Sequence, residues 1–247
     1  MKTASYGRLL FGAAAVFFGV IALMWHDAET WQTLRRIWNL PFGSAIGTLL
    51  MVAQIAGGLG LLFPRTVRPA SILLIVVYAL FSLTCVPVMF AHPRIFDAYD
   101  SFFEQFCLLC GAIAVYAATG IDRSRSRALR GIARIGVGVS AVSFTLAQVF
   151  YLRPTAHLVP RWIPPNQMFW AILTTIAFAL AAIAILANYR ARLALQMMTL
   201  MIVLFGVLVW IPILYAAPQV HGSWSEFGIN FLIAGAAWAV ADLASTD

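Results

Sequence analysis

FAHPRIFDAYDSFFEQFCLLCGA, Phe90 to Ala112, decides how this chain is read, because it returns 125 positions later as YAAPQVHGSWSEFGINFLIAGAA, Tyr215 to Ala237. Without a gap the two copies share Ala91 with Ala216, Pro93 with Pro218, Phe102 with Phe227, Phe106 with Phe231 and Ala112 with Ala237. They also keep Tyr99 against Trp224 and Gln105 against Asn230, and upstream Val86-Pro87-Val88 matches Ile211-Pro212-Ile213 at the same offset. A repeat of this length means one structural unit used twice. Each copy ends an apolar run at a proline turn, crosses a short polar loop and re-enters a long apolar run through an aromatic residue.

Working outward, composition says what the unit is made for. Hydrophobic residues are 62% of the 247, charged residues 10%, and the mean hydropathy is +0.90, which excludes a water-soluble globule and predicts many passes through a lipid bilayer. The net charge of +7 comes from arginines scattered in short loops, a pattern of topology rather than of a nucleic-acid surface. Cys85, Cys107 and Cys110 lie inside apolar runs, so they are not a loop-stapling disulfide framework.

The apolar runs predict an all-α fold of eight transmembrane helices in two tandem four-helix bundles. The spans run to about Trp25, then over about 44–63, 70–91, 101–120, 135–152, 167–187, 193–216 and 225–243. Arg8-Leu-Leu-Phe-Gly12 is mirrored by Arg134-Ile-Gly-Val-Gly138, which opens a mid-chain span, so the first run is expected to be retained rather than cleaved. The first unit covers 1–120, the Arg-rich linker 121–134 and the second unit 135–247. Alternate loops hold eleven against five Lys and Arg, which places both termini in the cytoplasm. An even number of spans per unit makes the repeat parallel, about an axis along the membrane normal.

Candidate chemistry gathers on the opposite, outer side. His26, His92, His157 and His221 all fall there and form a candidate ligand-binding cluster, since neutral imidazole ligates metals and haem; the alternative is an interfacial role. Cys107-Leu-Leu-Cys110 puts two thiols on one helix face. Cys85 lies about seven residues inside its own helix, the depth expected for Cys107, so the three are expected to converge as a thiol site, against the alternative that they pack. Ser101-x-x-Glu104 and Ser223-x-x-Glu226 read as capping boxes at helix starts, which leaves the cores of all eight spans without ionisable residues. Pro87 and Pro212 are expected to kink their helices.

Gly57-Gly58-Leu59-Gly60-Leu61-Leu62 before a short Arg turn, a proline loop, and Tyr99-x-x-Phe102-x-Glu104-Gln105 opening the last helix of the unit resemble the DoxX family of bacterial membrane proteins. The resemblance covers about residues 6–120 and, more faintly, 134–243, where Ile229 replaces the Glu. It implies a bacterial inner-membrane helper: a non-catalytic subunit or assembly factor for a redox-protein partner, with a quinone as the cofactor such partners use. Two other functions stay open: a thiol/quinone oxidoreductase using Cys107 and Cys110, and a carrier for a small apolar molecule between the two bundles.

Overall fold

The computed structural model describes residues 5–25, 31–120 and 122–244. The chain is all-α, and seven of its helices are long and apolar enough to cross a membrane. In order they are α1 (Tyr6–Met24), α3 (Gly43–Leu62), α4 (Val67–Ala91), α5 (Phe96–Ala117), α6 (Arg123–Phe150), α8 (Gln167–Leu186) and the segment Ala191–Ala216. That last segment is α9 (Ala191–Phe205) and α10 (Ile211–Ala216) joined by a π-helical turn at Gly206–Trp210. Pro212 stands in the first turn of α10, directly after the π-helical turn, and offers that turn no amide donor. Pro87 sits inside an unbroken α4, so of the two expected interruptions only the second changes the helix type.

Two regions expected as loops carry short helices, α2 (Gln32–Trp38) and α7 (Leu152–Leu158). Both are seven residues long, too short to cross a membrane. α2 closes over the bundle because Thr33, Leu34 and Ile37 share one face and bury it. Trp31, just before it, meets the rings of Phe18 and Phe81 edge-on at 4.9 Å each.

The last helix, α11 (His221–Ala241), has 21 residues, twelve of them buried. It carries Glu226 and Asn230 and is not apolar enough by composition alone to count with the seven. Its place explains this, since α11 packs on α1, α5 and α9 at once. A helix walled by other helices has little lipid to satisfy.

Neighbouring helices pack in the order α1, α3, α4, α5, α6, α8, α9, α11 and back to α1, with α5 also touching α11 across the middle. α1 therefore closes against α11 of the other half, and α6 against α5. The glycines act as expected of packing residues: a Cβ on Gly12 would lie 2.8 Å from the Gly58 carbonyl oxygen, and one on Gly58 2.7 Å from that of Gly12. Only bare backbones can approach so closely. Arg8 donates to the Leu61 carbonyl at the end of α3, and Arg134 to the Ile185 and Leu186 carbonyls at the end of α8. Each guanidinium thus satisfies carbonyls that a helix C-terminus leaves bare.

Candidate functional site: an acidic pocket between α5 and α11

The site follows from where two helices begin. α5 starts at Phe96 rather than near Ser101, and α11 at His221 rather than Ser225. Their N-caps, Ile95 and Val220, make no side-chain cap hydrogen bond. This corrects the capping boxes, because Ser101 and Glu104 sit beyond the first turn, where backbone amides already bond the preceding turn. It also corrects the expectation of spans free of ionisable residues: Asp97, Asp100 and Glu104 are within α5 and Glu226 is within α11.

These carboxylates line one cavity of about 310 Å³. α5 contributes Asp97, Asp100, Ser101 and Glu104, and α11 contributes Gly222, Ser225, Glu226 and Ile229. Each quartet has the spacing i, i+3, i+4, i+7, which is one face of a helix. Shifted by the 125 positions that relate the two sequence copies, the quartets coincide as Asp97/Gly222, Asp100/Ser225, Ser101/Glu226 and Glu104/Ile229. Every pair holds one acid and one uncharged residue. The third wall is Trp31 with Gln32, Thr33 and Arg35 of α2, and Arg35 is the one cation among the described lining residues.

The carboxylates lie within electrostatic range of one another. Asp100 and Glu104 are half-buried, whereas Asp97 and Glu226 are exposed. Asp100 Oδ1 accepts a hydrogen bond from Ser143 Oγ of α6 at 3.1 Å. Ser225 is only 6% exposed and lines the cavity. Among the described residues, no three or more His, Cys, Asp and Glu side chains are grouped to hold a metal ion. The arrangement suits an extended positive charge.

The three thiols are buried and free, and they do not meet at one depth. Cys85 Sγ is 3.7 Å from the Ser101 carbonyl and 3.9 Å from Thr33 Oγ1. Cys107 lies six residues further along α5, about 9 Å at 1.5 Å per residue. The convergence expected from sequence fails for the same reason as the caps, since α5 starts five residues early and carries Cys107 deeper than Cys85. Cys110 packs against α6: a Cβ on Gly136 would fall 2.2 Å from its Sγ, so the thiol fills the room that glycine leaves.

Of the histidines, His26 lies outside the described residues. His92 ends α4 and His157 is in the last turn of α7, both exposed. His221 opens α11 next to Gly222 of the cavity lining and stacks on Trp25, with ring centroids 4.3 Å apart and planes at 9°. A quinone ring needs an apolar slot; the cavity is lined mostly by polar and charged side chains, with Trp31 and Ile229 as its large apolar ones, so its residues do not fit that group.

The acidic face was missed from sequence because Ser-x-x-Glu matches a cap. The available signal was the spacing of Asp97, Asp100 and Glu104, one residue per turn on one side. The chain matches no family model, no curated protein and no solved structure.

Proposed function

We propose that this chain is an eight-span, DoxX-like protein of the bacterial inner membrane, with both termini cytoplasmic, that binds a small organic cation in an outward-facing pocket between two repeated halves. It acts as a binding or accessory subunit rather than a catalyst. The observation that carries this reading is the cavity wall, which gathers four carboxylates from α5 and α11 with the buried Ser225 and a single cation among the described lining residues. An amine or guanidinium group complements carboxylates with charge-assisted hydrogen bonds, and Trp31 gives the same cation an aromatic wall. The polar lining favours such a ligand over the apolar one expected from sequence.

Several independent contacts support the duplication. Tyr99 Oη donates to the Pro93 carbonyl at 3.3 Å, and Trp224 Nε1 to the Pro218 carbonyl at 2.9 Å, the same bond at the two ends of the 125-residue offset. A Cβ on Gly111 would meet Ala236 Cβ at 2.5 Å, and these two residues are mates at that offset. Helices related by a twofold axis running between them cross at their own equivalents. Gly136 beside Cys110 corresponds in the same way to Phe11 beside Gly235, where a Cβ would lie 2.6 Å from the Phe11 Cα. An eighth span is supported by α11, whose 21 residues extend about 31 Å, close to the hydrocarbon thickness of a bilayer.

The test is titration of the purified protein with putrescine, spermidine and agmatine, read by calorimetry and by thermal shift. Saturable binding that weakens about tenfold or more in Glu104→Gln and Glu226→Gln, as loss of a charged hydrogen-bond partner requires, is the expected result. Absence of binding by all three, or equal binding by the double variant, overturns the proposal.

A further inference from the structure

The opposite end of the molecule holds a second cavity, of about 340 Å³, where α5 ends and α6 begins. Arg123, Arg127 and Arg130 line it, together with Ser126, Ala117 and Gly120. The arginines are spaced i, i+4, i+7, so they stand on one face of α6. All three are exposed, and no hydrogen bond or ion pair engages their side chains among the described residues. The nearest acid in sequence, Asp122, is occupied as the N-cap of α6, accepting from the backbone amides of Ser124 and Arg125. The Ser124 hydroxyl and then the Arg125 amide hold its carboxyl below the usual range. The floor is fixed, because Ser126 Oγ donates to the Ala117 carbonyl at 2.9 Å; that bond ties α6 to the end of α5 and takes up an acceptor that would otherwise repel an anion.

The geometry of α6 sets the height of this cradle. The helix has 28 residues, about 42 Å at 1.5 Å per residue, against a hydrocarbon core of about 30 Å. Roughly 12 Å of it stands clear of the hydrocarbon. α1 begins two residues before Arg8, whereas α6 begins eleven before its counterpart Arg134. The extra turns carry the three arginines alongside the end of α5.

We propose that Arg123, Arg127 and Arg130 form a phosphate-binding site at the membrane surface, filled by the phosphodiester headgroup of an anionic phospholipid or by a soluble phosphate. A guanidinium offers paired donors matched to phosphate oxygens, and basic pockets beside transmembrane helices at headgroup level suit anionic lipids. The cradle is independent of the acidic pocket and would stand if no organic cation bound there.

The experiment uses delipidated full-length protein in two arms. In the first, native mass spectrometry counts retention of cardiolipin and phosphatidylglycerol added in mixed micelles, with phosphatidylcholine as reference. In the second, inorganic phosphate is titrated and the thermal shift recorded. Retention of the anionic lipids over phosphatidylcholine, falling at least tenfold in Arg123→Gln/Arg127→Gln/Arg130→Gln but not in Arg65→Gln/Arg68→Gln, assigns the site to a lipid. The latter variant removes two charges from the α3–α4 turn at the same end of the molecule. A saturable shift with phosphate and no lipid preference assigns it to a soluble anion. Neither response, or equal losses per charge in the two variants, overturns the site and leaves only general attraction to an anionic surface. Single Gln variants, each at an exposed helical position, give the same reading if the triple variant folds poorly.

Discussion

Gly111→Ala tests the crossing on which the twofold reading depends. The added Cβ would lie 2.5 Å from Ala236 Cβ and 2.7 Å from Ala236 Cα. Ordinary carbon contacts are about 3.5–4.0 Å, so α5 and α11 must separate by about 1–1.5 Å at that level. Overpacking of this size costs about 1–3 kcal/mol, a fall of about 3–10 °C in the apparent melting temperature of a domain this size. The control is Gly131→Ala, where a Cβ meets nothing within 4 Å; it should be neutral or slightly stabilising, since alanine is the better helix former. The decisive variant is the exchange Gly111→Ala/Ala236→Gly. If the two positions are equivalent across an axis, moving the methyl from one helix to the other restores the contact, and the double variant regains at least half of the lost stability. The assay is thermal unfolding of purified protein in detergent, followed by tryptophan fluorescence. A double variant that melts as low as Gly111→Ala, or lower, refutes the symmetry; a single variant that melts like wild type refutes the close crossing itself.

Two further outcomes are expected. In folded protein the thiols of Cys85, Cys107 and Cys110 should resist maleimide and diamide, because their residues are 0%, 0% and 1% exposed and desolvation disfavours the reactive thiolate; all three should label after denaturation in SDS. A Cys107–Cys110 disulfide formed in the folded state, read by mass spectrometry, would instead revive the redox reading. Arg8→Met and Arg134→Met should lower the melting temperature by similar amounts, about 3–10 °C for a charge-assisted hydrogen bond worth about 1.5–3 kcal/mol, since each leaves helix-end carbonyls bare. A large loss at one position and none at the other would argue that the two contacts are not equivalent.

The long apolar runs and the helix-opening places of Arg8 and Arg134 were legible because hydropathy and repetition are written in the sequence itself. α2 and α7 were not. At seven residues each, they owe their form to packing against neighbours rather than to a periodic pattern. The acidic pocket was hidden by a local ambiguity: Ser-x-x-Glu fits both a helix start and a helix interior, and only the preceding turns, Phe96 to Asp100 and His221 to Trp224, decide between them. Beginning those helices early put Ser101, Glu104 and Glu226 into the cavity wall and moved Cys107 away from Cys85. The proposed repeat pairs the helices of the two halves, yet it does not say that α1 closes on α11 and α6 on α5, because equivalence leaves open how the halves interlock.

That interlocking has an electrostatic consequence. On the proposed twofold axis, each residue of α5 that faces inward looks toward its own equivalent on α11. Were the halves identical, every acid on the inner face would confront a copy of itself, and two like charges about 4 Å apart at an effective dielectric near 20 repel by about 4 kcal/mol. Instead Asp97 is matched by Gly222, Asp100 by Ser225, Glu104 by Ile229, and Glu226 by Ser101, so no acid faces its equivalent. Two copies of one unit cannot make that choice, since any change in one is a change in both. On the proposed duplication, fusing the units in a single chain permits it, and the pocket can then hold four carboxylates without setting each against its own image.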